Sequence, residues 1–130
     1  ASPETQHICV VGDVSFLYDS NALWQNQFPS NLKILVLNNQ GGSIFGMIPG
    51  PANQPSYSTF FHTSHVFRMD GIAANFNIPY TLGKSGEFSE NELKDFLTRK
   101  GAGLLEFLSD SEQNKKNDQA RKNQITQLFH

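Results

Sequence analysis

The sequence predicts a three-layer α/β domain, an open parallel sheet with helices on both faces. Two short runs, residues 7–11 (HICVV) and 32–37 (LKILVL), are near-continuously apolar. Such runs suit strands covered on both faces, whereas strands with one wet face alternate. Between them, residues 16–28 carry apolar side chains at 16, 17, 23, 24 and 28, close to helical spacing. Strand, helix and strand within about 30 residues make a βαβ unit with a right-handed crossover. Strand and helix patterns then keep alternating to the end of the chain, with no internal repeat, which places one layered α/β structure above the alternatives.

Taken in order, the first strand stops at Gly12-Asp13 and the second at Asn38-Asn39. Residues 40–64 show no sustained period and hold Gly41, Gly42, Gly46, Pro49, Gly50, Pro51 and Pro55, with room for a short helix near 44–48. Loops longer than about 12–15 residues are uncommon in compact domains and are often functional. Residues 66–76 read as a helix with Phe67, Ile72, Ala73 and Phe76 on one side, and 78–81 as a short peripheral strand because of Pro79. Ser89 and Glu92 form a capping box ahead of Leu93, Phe96 and Leu97. Residues 103–108 (GLLEFL) are a fourth strand. Ser109 to Glu112 is a second capping box, opening a polar terminal helix anchored by Ile125, Leu128 and Phe129.

Composition narrows the function. The 130 residues suit a single domain, and one cysteine excludes a disulfide framework or a Cys-rich zinc module. Ten Lys+Arg against 12 Asp+Glu give a net charge of −2, without the basic excess that nucleic acid or an anionic membrane requires. The longest wholly apolar runs are four residues, too short to insert into a bilayer, and no leader pattern opens the chain, so a cytoplasmic location is expected. Charged residues are only 17%, their place taken by 12 Asn and 9 Gln, while 38% hydrophobic residues with 11 Phe support a core. A strand pattern beginning six residues after Ala1 suggests a fragment of a longer protein. Cys9, inside an apolar run, is expected to be an inert core thiol. Lys115, Lys116, Arg121 and Lys122 are expected on a solvated helix face. His62 and His65 offer two imidazoles with no evident third ligand.

The chemistry sits after the two strands. In open parallel sheets ligands bind beyond the carboxyl ends of the strands, so Gly12-Asp13-Val14-Ser15 and Asn38-Asn39-Gln40-Gly41-Gly42 point to one edge. One carboxylate, one amide oxygen and glycine-flanked carbonyls are hard oxygen donors suited to Mg²⁺, which is usually completed by water and substrate phosphates. A single carboxylate leaves the ion net positive and able to hold a diphosphate. The amides of Val14 and Ser15 and the Ser15 hydroxyl are available to the same anion. Each signal alone is ordinary turn chemistry; their pairing is what suggests a Mg²⁺–diphosphate site.

Gly12-Asp13, about 25 residues, then Asn38-Asn39 resembles the diphosphate-binding motif of thiamine-diphosphate enzymes, with Val14 where that superfamily often has glycine. The strings from Asp13 to Leu23 and from Asn38 to Phe45 resemble the 2-succinyl-5-enolpyruvyl-6-hydroxy-3-cyclohexene-1-carboxylate synthases of menaquinone biosynthesis. The resemblance implies that Asp13, Asn39 and the Gly41 carbonyl ligate Mg²⁺, that Gly12, Val14 and Ser15 lie along the diphosphate, and that Ile44 and Phe45, with Ile48 nearby, line an apolar pocket around the cofactor. It implies a transferase that decarboxylates 2-oxoglutarate on thiamine diphosphate and adds the product to isochorismate. It also implies a homo-oligomer in which a pyrimidine-binding domain of another subunit supplies the activating glutamate. Residues 1–130 would then be the C-terminal part of the diphosphate-binding domain, inactive alone, with the substrate-binding arginines elsewhere. The alternatives are another thiamine-diphosphate decarboxylase or carboligase, or a non-catalytic nucleotide-binding α/β module, although no Walker pattern is present.

Overall fold

The computed structural model describes residues 4–25, 28–48 and 50–128, the side chains of residues 112 and 128 excepted. Four strands, β1 (His7–Gly12), β2 (Leu32–Asn38), β3 (Tyr80–Lys84) and β4 (Gly103–Leu108), form one all-parallel sheet in the order β1-β2-β4-β3. The helices are α1 (Asp13–Asp19), α2 (Asp70–Asn75), α3 (Glu90–Thr98) and α4 (Ser111–Leu128). Side chains alternate across each strand, and the register pairs Ile34 with Leu104 on one face and Lys33 with Gly103 on the other. The first face carries the main core, where Ile34, Val36 and Leu104 meet Phe16 of α1 and Ala73 of α2. On the second, Phe96 of α3 lies under the Lys33 ammonium, 5.1 Å from its ring centroid. The layered parallel fold is as expected, and β3 is the edge strand that Pro79 foretells.

β1 departs from the expectation of a strand covered on both faces. It is the opposite edge of the sheet, and Ile8 and Val10 are 52% and 59% exposed. They share the Lys33 face, where Phe96 of α3 lies against Lys33 of β2 and Gly103 of β4. Cys9 is likewise exposed, so it is no core thiol. A run of apolar residues records that a strand is meant to be covered without recording by which segment.

Helix boundaries shift for local reasons. The helix expected over residues 16–28 is α1, beginning at Asp13, followed by a 3₁₀ turn at Ser20–Leu23. Gly12 enters it in extended conformation and Asp13 sits acidic in the first turn, the favourable end of the helix dipole. Trp24 returns to extended backbone, and Phe28 packs on the core from the returning chain. Residues 26 and 27 lie outside the described residues. The helix expected over 66–76 shortens to α2, because Phe67 O is taken by Asn38 Nδ2 and Met69 N by Glu106 Oε2, which draw the preceding backbone out of the helix. Phe67 is exposed in consequence.

The capping box at Ser89 and Glu92 is formed in both directions. At α4 the cap is Asp110, whose Oδ1 accepts from Gln113 N at 2.7 Å, while Ser109 Oγ accepts from Asn114 Nδ2; the Glu112 side chain lies outside the description. Ile125 is 47% exposed rather than a buried anchor, and Leu128 and Phe129 as anchors lie outside the described side chains. Arg121 and Lys122 pair with Asp118 along a solvated face, as expected. No helix among the described residues is long and apolar enough to cross a membrane.

Candidate functional site

Because β1 and β2 are neighbouring parallel strands, the segments leaving their carboxyl ends emerge side by side, Gly12 opposite Leu37. Asp13, only 2% exposed, is the meeting point. Its Oδ1 accepts from Val14 N at 2.8 Å and its Oδ2 from Gly41 N at 3.0 Å, across 28 positions of sequence. The convergence read from two strand ends is therefore realised.

The turn after β2 needs its glycines. Gly41 has φ +152°, and a Cβ there would stand 2.5 Å from His62 O; a Cβ on Gly42 would stand 2.6 Å from Phe61 O. The chain at 61–65 thus lies against the turn, with Gly42 N donating to His62 O and His65 N to Gln40 O. Residues 40–64 contain more structure than their sequence suggested: 3₁₀ turns at Ser43–Gly46 and Pro51–Asn53 and a single π-helical turn at Tyr57–His62.

A cleft of about 760 Å³ opens beside Asp13. All eight residues expected to touch the cofactor line it: Gly12, Asp13, Val14, Ser15, Asn39, Gly41, Ile44 and Phe45. Tyr18, Phe60 and Phe61 join them, with the Phe45 and Phe61 rings 5.9 Å apart. Ile48 is not among the lining residues. A second hollow of about 560 Å³ lies beyond the same turn, and of those eight residues only Asn39 reaches it.

The polar atoms around the turn are unusual. Among the described residues, the buried side-chain atoms without a hydrogen-bond partner are Asn39 Oδ1, Ser43 Oγ, Tyr57 OH, His62 Nε2 and His65 Nε2. Buried polar groups are normally paired, and every exception here falls within residues 39–65. The donor set fits a hard cation: the Asp13 carboxylate, the unpartnered Asn39 oxygen, and the Gly41 carbonyl, which accepts from Ser43 N at 2.9 Å and keeps a second lone pair. His62 and His65 do not form a metal pair. His62 Nδ1 is 2.6 Å from Ser64 Oγ with its ring stacked on Tyr57. His65 Nδ1 accepts from Phe67 N, and its Nε2 stands 3.1 Å from Asp13 Oδ2 without hydrogen-bond alignment. No group of three His, Cys, Asp or Glu side chains suited to a metal occurs among the described residues.

The sequence reading missed the residues behind this turn. Glu106, fully buried in the central strand β4, accepts from Asn38, Arg68, Met69 N and Tyr80. Burial, then the bond to Glu106, pushes the Tyr80 hydroxyl up to about 12. The Arg68 guanidinium is also raised, through its hydrogen bonds to Tyr80 and then Glu106, which outweigh burial. A carboxylate in the middle of the apolar run GLLEFL was the signal available.

The sequence profile of one family, thiamine pyrophosphate enzyme, C-terminal TPP binding domain, matches residues 1–107. Among curated proteins the chain is similar to 2-succinyl-5-enolpyruvyl-6-hydroxy-3-cyclohexene-1-carboxylate synthases. It is 39% identical over 104 residues to that of Christiangramia forsetii, covering 80% of this chain and 18% of that protein. It is 56% identical over 96 residues to that of Bacteroides fragilis, covering 74% and 17%. A solved structure from Mycobacterium smegmatis shares the fold with a TM-score of 0.55 at 24% identity, over 82% of this chain and 18% of that one. The chain thus spans less than a fifth of the length of these relatives.

Proposed function

The chain belongs to the thiamine pyrophosphate enzymes, as their C-terminal TPP-binding domain, and from that premise we propose that it forms the Mg²⁺–diphosphate half of the active site of a 2-succinyl-5-enolpyruvyl-6-hydroxy-3-cyclohexene-1-carboxylate synthase. The observation that carries the reading is the single cleft in which Asp13, the unpartnered Asn39 oxygen and Gly41 meet Ser15, Ile44 and Phe45. Asp13, Asn39 and the Gly41 carbonyl hold the ion. Val14 and Ser15 lie along the diphosphate, Ser15 adding a hydroxyl.

Thiamine diphosphate, when bound, supplies the electron sink for decarboxylation and carbon–carbon bond formation. The protein's part is placement and exclusion of water. Ile44, Phe45 and Phe61 wall the cleft with apolar surface, an environment that disfavours a substrate carboxylate relative to neutral products. The overall reaction in this reading consumes 2-oxoglutarate and isochorismate and releases CO₂, in a homo-oligomer whose pyrimidine-binding domain and substrate-binding arginines lie outside these 130 residues. The isolated chain is then inactive, because positioning and acid–base help are both lost.

The test is turnover by the full-length protein with Mg²⁺ and thiamine diphosphate. CO₂ release from 2-oxoglutarate coupled to consumption of isochorismate is the expected result. Release from pyruvate in preference would reassign it to another decarboxylase or carboligase of the family.

A further inference from the structure

We propose that Glu106 and Asn38 act together as a positioning device for the metal-binding turn, setting Asn39 and Gly41 against Asp13 without touching the cofactor. The inference rests on the Mg²⁺–diphosphate reading above and adds residues that it does not use.

Asn38 and Glu106 are both fully buried, on adjacent strands and on the same face of the sheet. Both polar atoms of Asn38 are engaged, in holding backbone and Glu106. Its Oδ1 accepts from Gln40 N at 3.0 Å, and its Nδ2 donates to Phe67 O at 3.1 Å and to Glu106 Oε1 at 2.6 Å. Gln40 has φ +63°, a left-handed conformation uncommon for a residue with a side chain. The Asn38 bond to its amide holds that conformation, an Asx-type turn. The next residue is Gly41, whose N–H reaches Asp13.

The Glu106 carboxylate fixes the amide of Asn38 from behind. Its Oε1 also accepts from Arg68 Nε at 3.0 Å, and its Oε2 accepts from Met69 N at 3.1 Å and Tyr80 OH at 2.5 Å. Four donors on two oxygens leave it one orientation. The same carboxylate therefore ties down two segments that frame Asp13. One is the 38–41 turn, and the other is the 65–69 strap, which brings His65 Nε2 to 3.1 Å from Asp13 Oδ2. Neither Asn38, Arg68, Tyr80 nor Glu106 lines the cleft, so their influence on a bound ion passes through geometry. Partners one step behind metal ligands typically alter metal affinity by about 10–100-fold when lost.

The experiment titrates Mn²⁺, as a probe for Mg²⁺, into the full-length protein with thiamine diphosphate, following water-proton relaxation well below the unfolding temperature of each variant. Asn38→Asp sets a second carboxylate against Glu106, and Glu106→Gln removes the charge while keeping the shape; each should weaken Mn²⁺ by about 10–100-fold. Should a single variant not fold, Tyr80→Phe deletes one of the four donors without moving a charge and should weaken Mn²⁺ several-fold. Single variants, or Tyr80→Phe, with wild-type Mn²⁺ affinity overturn the positioning role while leaving the proposed function intact. Wild-type protein that binds no Mn²⁺ with thiamine diphosphate overturns both.

Discussion

Asn38 and Asn39 are neighbours in sequence and opposites in circumstance. Asn38 faces the sheet, and each of its polar atoms has a partner within the chain. Asn39 faces the turn, and its oxygen is buried without one. The contrast extends outward from them. Behind Asn38, Glu106, Arg68 and Tyr80 form a closed network whose groups satisfy one another. Beyond Asn39, unpartnered polar atoms recur at Ser43, Tyr57, His62 and His65. The first region is built for stability and orientation, since a buried polar network is favourable only when fully satisfied. The second leaves buried polar atoms unpaired within the chain, at a cost to folding.

Substitutions should separate the two regions by what they damage. The largest effect is expected at the ligand side: Asp13→Ala, removing the one carboxylate of the donor set, should weaken Mg²⁺-dependent thiamine diphosphate binding by more than about 100-fold. Asn39→Ala should cost less, because water can replace a neutral oxygen. Calorimetric titration at limiting Mg²⁺ measures both, and equal affinity in wild type and Asp13→Ala would refute the metal assignment.

On the network side the damage should appear as stability. Glu106→Ala strands Arg68, Tyr80 and Met69 N, and should lower the unfolding free energy by about 3 kcal/mol. That is the low end for a broken buried pair, because Arg68 remains partly exposed and can turn to water. Urea unfolding followed by circular dichroism reads it; an unchanged midpoint would mean that the network does not hold the fold.

Tyr57→Phe offers the sharpest contrast. It removes a buried hydroxyl without a partner, so ligand-free stability should change by less than about 0.5 kcal/mol or rise. A loss comparable to Glu106→Ala would erase the distinction between the two regions.

The last contrast is a pH dependence. Tyr80 titrates near 12 in the folded protein against about 10 unfolded. Its contribution to stability is complete below pH 10 and fades as pH rises from 10 to 12, where the unfolded chain releases the proton first. Tyr80→Phe should flatten that part of the alkaline stability curve. A decline as steep as that of wild type would assign it to other groups.

Much of this was legible in the residues. The runs at 7–11 and 32–37 predicted parallel strands, of which only the second is largely buried, and glycine, aspartate and asparagine at their carboxyl ends predicted that the two ends share one edge. Both depend on local pattern plus one topological rule, that parallel strands present the same end. Pro79 marked an edge strand and Ser89 with Glu92 a helix start, through effects confined to a few residues. Cys9 was misread because exposure of a strand depends on its neighbours in the sheet. The helix expected at 66–76 was too long because Asn38 and Glu106, distant in sequence, claim the backbone at Phe67 and Met69.

What the sequence by itself determined is therefore the set of strands, their common polarity and the donor types gathered at their ends. The tertiary structure alone decided which of two adjacent asparagines would be spent on the fold and which would keep its oxygen without a partner in the chain. Strand alternation sends them to opposite sides. Only the presence of Glu106, 68 residues beyond Asn38 and on the neighbouring strand, makes one of those sides a finished network.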